Sequence, residues 1–369
     1  MRIAVLTNDY PPISSGGAGR IAKIYSDILE KHGHDIRVWG AEDFFYSLHA
    51  HGFFSRLLFH IHDVFAHKKI VKEICEWRPD VLLTHNITGC GYGTPRAVQR
   101  MNIPWVHILH DVQLFEPSGK IYVHEYMPTI HRAWRDTWAD IRRYAMGKPN
   151  GIVSPTSWLL EIHKKYKFFR SIPSKIIPNP ISFPAYVCEK KDMRTLLYVG
   201  RLDTDKGLDI VYAAWPTLRE SVSSLILIGE GAWKKRFLDL HESNIFAMGT
   251  RDSSVVMRYM SQAGVVIIPS RIYENQPTVI LEALQAGCHI IGSDVGGIRE
   301  TLAGCGTVIS AGNIDAFVDA CKKVLGTEMS IHEQDTLKQV LETHNPEIVV
   351  SQLEDFITNL NMCTDPIVH

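Results

Sequence analysis

The chain reads as an α/β protein of two domains, each a parallel sheet with helices on both faces. Three observations carry this. Short apolar runs alternate with helical stretches from end to end, the pattern of successive strand–helix–strand units. A proline-rich break, Pro178-Asn179-Pro180-Ile181-Ser182-Phe183-Pro184, falls near the middle, and the alternation restarts after it. The 369 residues also suffice for two domains at roughly 150 residues each.

The first half is expected to hold strands at residues 3–7, 36–39, 81–84, 105–109, 151–154 and 175–177. The second half repeats the theme at 195–199, 224–228, 244–248, 265–268, 289–292 and 307–309. The organisation expected is a Rossmann-like domain over 1–180, a linker over 181–192, a second Rossmann-like domain over 193–345 and a helical tail over 346–369 that packs back on the first domain.

Composition removes several classes of function. With 45% hydrophobic and 21% charged residues the chain is ordinary globular material. A net charge of -1 gives no overall case for nucleic acid. The seven cysteines form no Cys-x-x-Cys pair, so neither a zinc site nor a disulfide framework is expected, and reduced thiols fit a cytoplasmic protein. No apolar stretch approaches the roughly 18–20 residues that span a bilayer.

The most informative stretch is Tyr273-Glu274-Asn275-Gln276-Pro277-Thr278-Val279-Ile280-Leu281-Glu282. It follows an apolar strand and the turn Pro269-Ser270, and Pro277 sits where a helix begins. Glu274 then lies in the loop before the helix and Glu282 about a turn and a half inside it. A helix start offers unpaired amides to a phosphate, and carboxylates accept hydrogen bonds from sugar hydroxyls. Together they suit a nucleotide sugar, with Asn275 and Thr278 beside them.

Other strand ends add polar loops. Gly200-Arg201-Leu202-Asp203-Thr204-Asp205-Lys206-Gly207 follows the first strand of the second half. Fixed cations such as Arg201 and Lys206 lower the barrier for a departing diphosphate. Asp203-Thr204-Asp205 spells a metal-diphosphate pattern, but between these cations it reads as a turn. Gly229-Glu230-Gly231, Gly249-Thr250-Arg251 and Gly292-Ser293-Asp294-Val295-Gly296-Gly297 end three more strands. In the first half, Asn8 to Arg20 is a long loop ending in Gly16-Gly17-Ala18-Gly19, whose backbone can approach a phosphate closely. Its Gly-x-Gly-x-x-Ala begins too far beyond the strand for a dinucleotide fingerprint, which counts against an NAD-dependent oxidoreductase. His110, in His107-Ile108-Leu109-His110-Asp111, lies just past a strand end, where ligands bind in such sheets.

In this order the motifs resemble the retaining GT-B glycosyltransferases of family 4, over most of the chain. The resemblance rests on the glycine-rich first loop, His110-Asp111, Pro178-Asn179-Pro180, Gly200-Arg201 with Lys206-Gly207, Glu274 to Glu282, and Gly296-Gly297 with Glu300. The family often has glycine where Asn275 stands, and usually Pro-Asn-Gly where this chain has Pro178-Asn179-Pro180. The resemblance implies two Rossmann-like domains facing a central cleft, with the donor on the second and the acceptor on the first. Glu282 would bind ribose, Glu274 the donor sugar, and Arg201 and Lys206 the diphosphate. Gly17 and Gly19 would approach phosphate and sugar, His110 would sit by the sugar, and Gly229 and Thr250 complete the donor site. The implied activity is hexosyl transfer from a nucleotide-diphosphate sugar to a glycan or lipid-linked hydroxyl, with retention and without metal or cofactor. The alternatives are a GT-B nucleotide-sugar epimerase and a catalytically silent nucleotide-sugar binding protein.

Two segments of the first half stand apart. Residues 44–72 mix Phe44, Phe45, Phe53, Phe54 and Phe59 with His49, His51, His60, His62 and His67. Spacing favours core helices over metal binding. Residues 132–170 interleave basic and aromatic side chains, from Arg132 and Trp134 to Phe169 and Arg170. A solvated helical face is the first expectation, and contact with an anionic inner membrane surface the sharper one.

Overall fold

The computed structural model describes residues 1–12, 17–40, 61–123, 129–181 and 191–362. These form two compact units. One is Met1–Lys120, Tyr126–Pro180 and His344–His369, and the other is Ile121–Glu125 and Ile181–Thr343.

The first unit carries β1 (Arg2–Thr7), β2 (Asp35–Gly40), β3 (Val81–Thr84), β4 (Trp105–Ile108), β5 (Gly151–Ser154) and β6 (Ser174–Ile176). They lie in the order β2-β1-β3-β4-β5-β6, all parallel. β3, β4 and β5 are buried at every position, as parallel strands covered on both faces must be. Edge strand β2 alternates exposed and half-buried residues instead. Around this sheet run α1 (Gly17–Lys31), α2 (Lys68–Trp77), α3 (Thr94–Gln99), α4 (Thr129–Met146) and α5 (Ser157–Lys165). α1 buries Ile21, Tyr25 and Leu29, spaced four apart on one helical face.

The second unit carries β7 (Asp192–Val199), β8 (Ser224–Ile228), β9 (Ile245–Gly249), β10 (Ala263–Ile268), β11 (His289–Ser293) and β12 (Thr307–Ile309). Their order is β12-β11-β10-β7-β8-β9, again parallel throughout. Its helices are α6 (Leu208–Leu218), α7 (Trp233–Leu238), α8 (Ser253–Gln262), α9 (Thr278–Gln285), α10 (Ile298–Leu302), α11 (Ile314–Val324) and α12 (Ile331–Thr343). The period of two along each strand splits the core. Leu196, Tyr198, Val265 and Ile267 pack with Trp215 of α6 and Phe317 of α11. Leu197, Val266 and Ile268 face Met260 of α8 and Ile280 and Leu284 of α9. Every strand expected from the sequence is present, with shifted ends. β7 starts early, at Asp192, which pairs with Ala263 of β10 across a register shift in the ladder.

The last helix, α13 (Pro346–Met362), belongs to the first unit. Its Val349, Val350, Leu353 and Ile357 join the same apolar cluster as Ile21, Tyr25 and Leu29. Outside that cluster, His32 bonds Glu347 at 2.8 Å and Glu354 at 2.9 Å, and His34 bonds Glu354 at 2.6 Å. Lys31 adds an ion pair to Glu347.

Three features depart from the sequence reading. Residues Ile121–Glu125 group with the second unit, not with the first-half domain that contains them in sequence. Two backbone bonds hold them there: the Val123 amide to the Arg271 carbonyl, 3.0 Å, and the Tyr273 amide to the Ile121 carbonyl, 2.9 Å. The basic-aromatic run is not uniformly solvated. Arg142 is 1% exposed, donates to the Gln113 carbonyl, and lies 4.6 Å from the Tyr92 ring centre and 5.1 Å from that of Trp138. Of the phenylalanine- and histidine-rich stretch, residues 44–60 lie outside the described residues. In the remainder, His67 caps α2 by accepting the Ile70 amide at 3.3 Å. Among the described residues no helix is long and apolar enough to cross a membrane.

Candidate active site

In the second unit the loops after β7, β8, β9, β10 and β11 share the carboxyl edge of one sheet. Two of them interlock. The loop after β7 forms a short 3-10 turn, Thr204–Lys206, that ends at Gly207. Gly207 has φ +80°, and a Cβ there would fall on the Pro269 carbonyl, so only glycine lets this turn sit against the loop after β10. The Arg271 amide donates to the Asp205 carbonyl at 2.9 Å. Lys206 Nζ forms an ion pair with Glu274 Oε1, and the Ser270 hydroxyl donates to the same oxygen at 2.9 Å. The loop after β11 closes on the other side. A Cβ on Gly296, with φ +62°, would meet the Glu274 carbonyl, and the Gly297 amide donates to that carbonyl at 2.8 Å. Glu274 is thus fixed at side chain and backbone by its own loop and two others.

Arg201 lies in the same turn. Its guanidinium bonds Asp203 Oδ2 at 3.0 Å and Asp205 Oδ2 at 2.9 Å. Asp205 is only 6% exposed, so the Asp203-Thr204-Asp205 sequence is a turn whose second aspartate anchors the arginine. Desolvation works against the charge on Arg201, and hydrogen bonding to Asp205 overrides it, raising its pKa. The Arg201 side chain remains half exposed, so an incoming anion can reach it.

α9 begins at Thr278, with Pro277 in extended geometry just before it. Glu282 is 7% exposed, one turn inside the helix. Asn275 is half-buried in the loop between Glu274 and the helix. Gly229 donates its amide to the Gly249 carbonyl at 3.0 Å, which joins the loops after β8 and β9 and sets exposed Thr250 at the same edge.

The first unit's carboxyl edge is different chemistry. His110 follows β4, and its Nε2 lies 2.8 Å from Nδ1 of His85, which follows β3. The two rings stack at 5.0 Å between centres. Burial lowers the pKa of His110 to about 4 and that of His85 well below the ordinary value, so both are neutral at pH 7. One ring donates and the other accepts in their shared bond. Behind them His107 bonds the Thr84 hydroxyl at 2.7 Å and is lowered to about 3, chiefly by burial. Asp111, next to His110, is held by the Gln113 amide at 2.8 Å and by Asn86 Nδ2 at 3.0 Å. Burial nevertheless raises its pKa.

Gly17 and Gly19 open α1. Among the described residues nothing lies within 4 Å of a Cβ position on Gly17. Gly19 instead faces Asp9, whose Oδ2 accepts its amide at 3.3 Å. Glycine is required at 19 because a Cβ would strike Asp9, so its place in the sequence has a structural cause. Sequence reasoning brought out Arg201, Lys206, Glu274 and His110 but missed Ser270 and His85. Both sit directly after strands, and the strand-end rule applied to every strand would have found them.

Residues 193–327 match the family described as Glycosyl transferases group 1, and residues 15–183 match Glycosyltransferase Family 4. A Klebsiella pneumoniae protein, named as an uncharacterized 42.6 kDa protein in a cps region, is 22% identical over 81% of this chain and 87% of its own length. Glycogen synthase of Mycobacterium tuberculosis is 24% identical over 84% of this chain and 82% of its own length. The crystal structure of Anabaena HepE in complex with UDP matches with a TM-score of 0.67 at 15% identity, covering 97% of this chain and 100% of that one. A second structure of HepE holds UDP and glucose, with a TM-score of 0.65 and 16% identity over 97% of this chain and 99% of that one. These structural likenesses bear on the fold, and with the two sheets they identify it as GT-B. The chain belongs to the group 1 glycosyl transferases, family 4.

Proposed function

We propose that this glycosyltransferase moves a hexose from a nucleoside-diphosphate sugar to a hydroxyl of a glycan or lipid-linked acceptor, with retention at the anomeric carbon. The observation that carries the reading is the Lys206–Glu274 pair, which joins the loops after β7 and β10 and is closed on by the loop after β11, beside the start of α9. Lys206 and Arg201 bind the diphosphate, Glu274 the transferred sugar and Glu282 the ribose. Asn275, Thr278, Gly229 and Thr250 complete the donor site. The bond from the anomeric carbon to the diphosphate oxygen breaks, and one to the acceptor oxygen forms on the same face. The acceptor proton passes to the leaving phosphate oxygen, and the nucleoside diphosphate departs. Fixed cations stabilise the charge that grows on it. Neutral His110 orients a sugar hydroxyl, and Gly17 leaves backbone open to an approaching phosphate. The UDP bound to HepE supports a nucleotide at this fold. Because cations already occupy the turn, transfer requires no metal and no organic cofactor.

The acceptor belongs to the first unit in this reading, at the cytoplasmic face of a membrane. α4 supports it with Trp134, Ile141 and Tyr144 exposed, at 57%, 39% and 80%. The test is a panel of nucleotide sugars, with and without glycan and lipid-linked acceptors, read as nucleoside diphosphate release, with the product's anomeric configuration determined by NMR. A chelator should leave the rate unchanged. No release with any donor, an inverted product, or rescue of a chelated enzyme by manganese would each refute the corresponding part.

A further inference from the structure

A cavity of about 650 Å³ opens in the first unit away from the strand-end loops described above. That is the size of small-molecule sites generally. Its walls include Arg96, Arg143, Lys148, Lys167 and Arg170 against one carboxylate, Asp140. Lys148 lies in the turn leading into β5, and Lys167 and Arg170 lie in the segment leading into β6. β5 and β6 are parallel neighbours, so these residues gather at the amino edge of the sheet. His110 and Gly17 follow the carboxyl ends of β4 and β1, at the opposite edge. The two sites are therefore separate.

The cavity is built, and several of its guanidinium groups are tethered. Arg96 Nη1 donates to the Tyr144 carbonyl at 2.8 Å, and its stem lies against Gly147, where a Cβ would come within 2.9 Å of it. Arg170 Nε donates to the Lys164 carbonyl at 2.9 Å. Arg143 pairs with Asp140 at 2.7 Å. The turn that carries Lys148 is pinned by Gln99 Nε2, which donates to the Lys148 carbonyl at 2.9 Å. Lys167 and Phe169 both have left-handed backbone, φ +67° and +57°, unusual for residues with side chains. Among the described residues neither Lys148 nor Lys167 has an ion-pair partner. A chain of net charge -1 has thus gathered five cations and one carboxylate around one hollow. Guanidinium forks and ammonium groups in one pocket suit tetrahedral oxyanions.

We propose that this cavity is a second anion site, taking a ligand with two or more phosphate groups, distinct from the donor site. The ligand is either a soluble diphosphate or the phosphorylated headgroup of an anionic lipid. Calorimetric titration of the full chain with inorganic pyrophosphate tests the chemistry, comparing wild type, Lys148→Ala/Lys167→Ala, and Arg201→Ala/Lys206→Ala. Because the donor edge also takes a diphosphate, wild type should bind pyrophosphate at two sites, and the cavity variant should weaken the second of them about tenfold or more, the scale of losing one or two charge-assisted contacts. The donor-edge variant should keep this binding, and Lys148→Arg/Lys167→Arg should restore it. Melting curves confirm that each variant is folded. Flotation with vesicles of cardiolipin, whose headgroup carries two phosphates, and of phosphatidylcholine then separates the sources. Retention on the anionic vesicles alone, lost in the cavity variant, identifies a headgroup, and equal behaviour of wild type and variant identifies a soluble ligand. Pyrophosphate binding unchanged in the cavity variant, or lost only in the donor-edge variant, overturns the proposal.

Discussion

At the carboxyl end of β10, Glu274 meets Lys206, with Arg201 held by two aspartates in the same turn. At the carboxyl end of β4, His110 meets His85, and both rings are uncharged. Both sheets are six-stranded and parallel, so topology does not explain the difference. The loops do. In the second unit they cross one another through glycines and bring opposite charges together in a half-buried pair. In the first unit the histidines follow fully buried strands directly, and burial keeps them neutral. Fixed charges suit a diphosphate whose charge grows during reaction. Neutral imidazoles suit hydroxyls, which both donate and accept.

The largest expected effect breaks the charged edge. Lys206→Ala should lower turnover by roughly 10²–10³, as losing one preorganised donor does elsewhere. Wild-type turnover at saturating donor would remove the diphosphate role. A backbone substitution comes next. Gly207→Ala forces a Cβ onto the Pro269 carbonyl at positive φ and should destabilise the second unit by about 2–3 kcal/mol, read by urea unfolding. Gly17→Ala, whose Cβ would meet nothing among the described residues, should change stability by less than about 0.5 kcal/mol. Equal effects would mean that the two glycine loops do not differ as described.

Glutamate exchanges sharpen the comparison within the donor edge. Ribose contacts are the same in ground and transition states, so Glu282→Gln should mainly raise the donor KM. Glu274→Gln should lower kcat, because positive charge develops at the sugar it holds. A kcat loss confined to Glu282→Gln would reverse the assignment.

The smallest effects concern pH and the first unit. His110 and His163 have pKa values lowered to about 4 by burial, so the unfolded chain takes up protons first as pH falls. The stability this gives is complete above pH 6.5, the ordinary histidine value, and is lost as pH falls toward about 4. His32, on the surface, behaves oppositely. Hydrogen bonds donated to Glu347 and Glu354 raise its pKa, so its hold on α13 is complete below pH 6.5 and fades as pH rises through the raised value. Glu347, lowered by Lys31 and His32, contributes above 4.5 and is lost as pH falls through its lowered value. His32→Gln should therefore lower the Tm more at pH 6 than at pH 8.5. The reverse order would contradict the hold of protonated His32 on α13.

Much of the fold was legible because buried parallel strands are apolar runs, such as Val265-Val266-Ile267-Ile268. The turn at Gly207 and the helix after Pro277 announced themselves through residue types with narrow backbone preferences. What stayed hidden depended on distant partners. Lys206 and Glu274 are 68 residues apart, and nothing local in either motif signals their pairing. The assignment of Ile121–Glu125 to the second unit rests on a few backbone bonds to the loop near Ile272. Arg142 lay in a charged run, and only Tyr92 and Trp138 around it reveal its burial.

The central claim is that the second unit's charged strand edge holds the nucleoside diphosphate. It is tested most directly by calorimetric binding of ADP, GDP and UDP to wild type, Lys206→Ala and His110→Ala. One of the three should bind wild type, bind Lys206→Ala about tenfold or more weakly, and bind His110→Ala with nearly unchanged affinity. Equal binding to wild type and Lys206→Ala, with the loss appearing in His110→Ala, would contradict it.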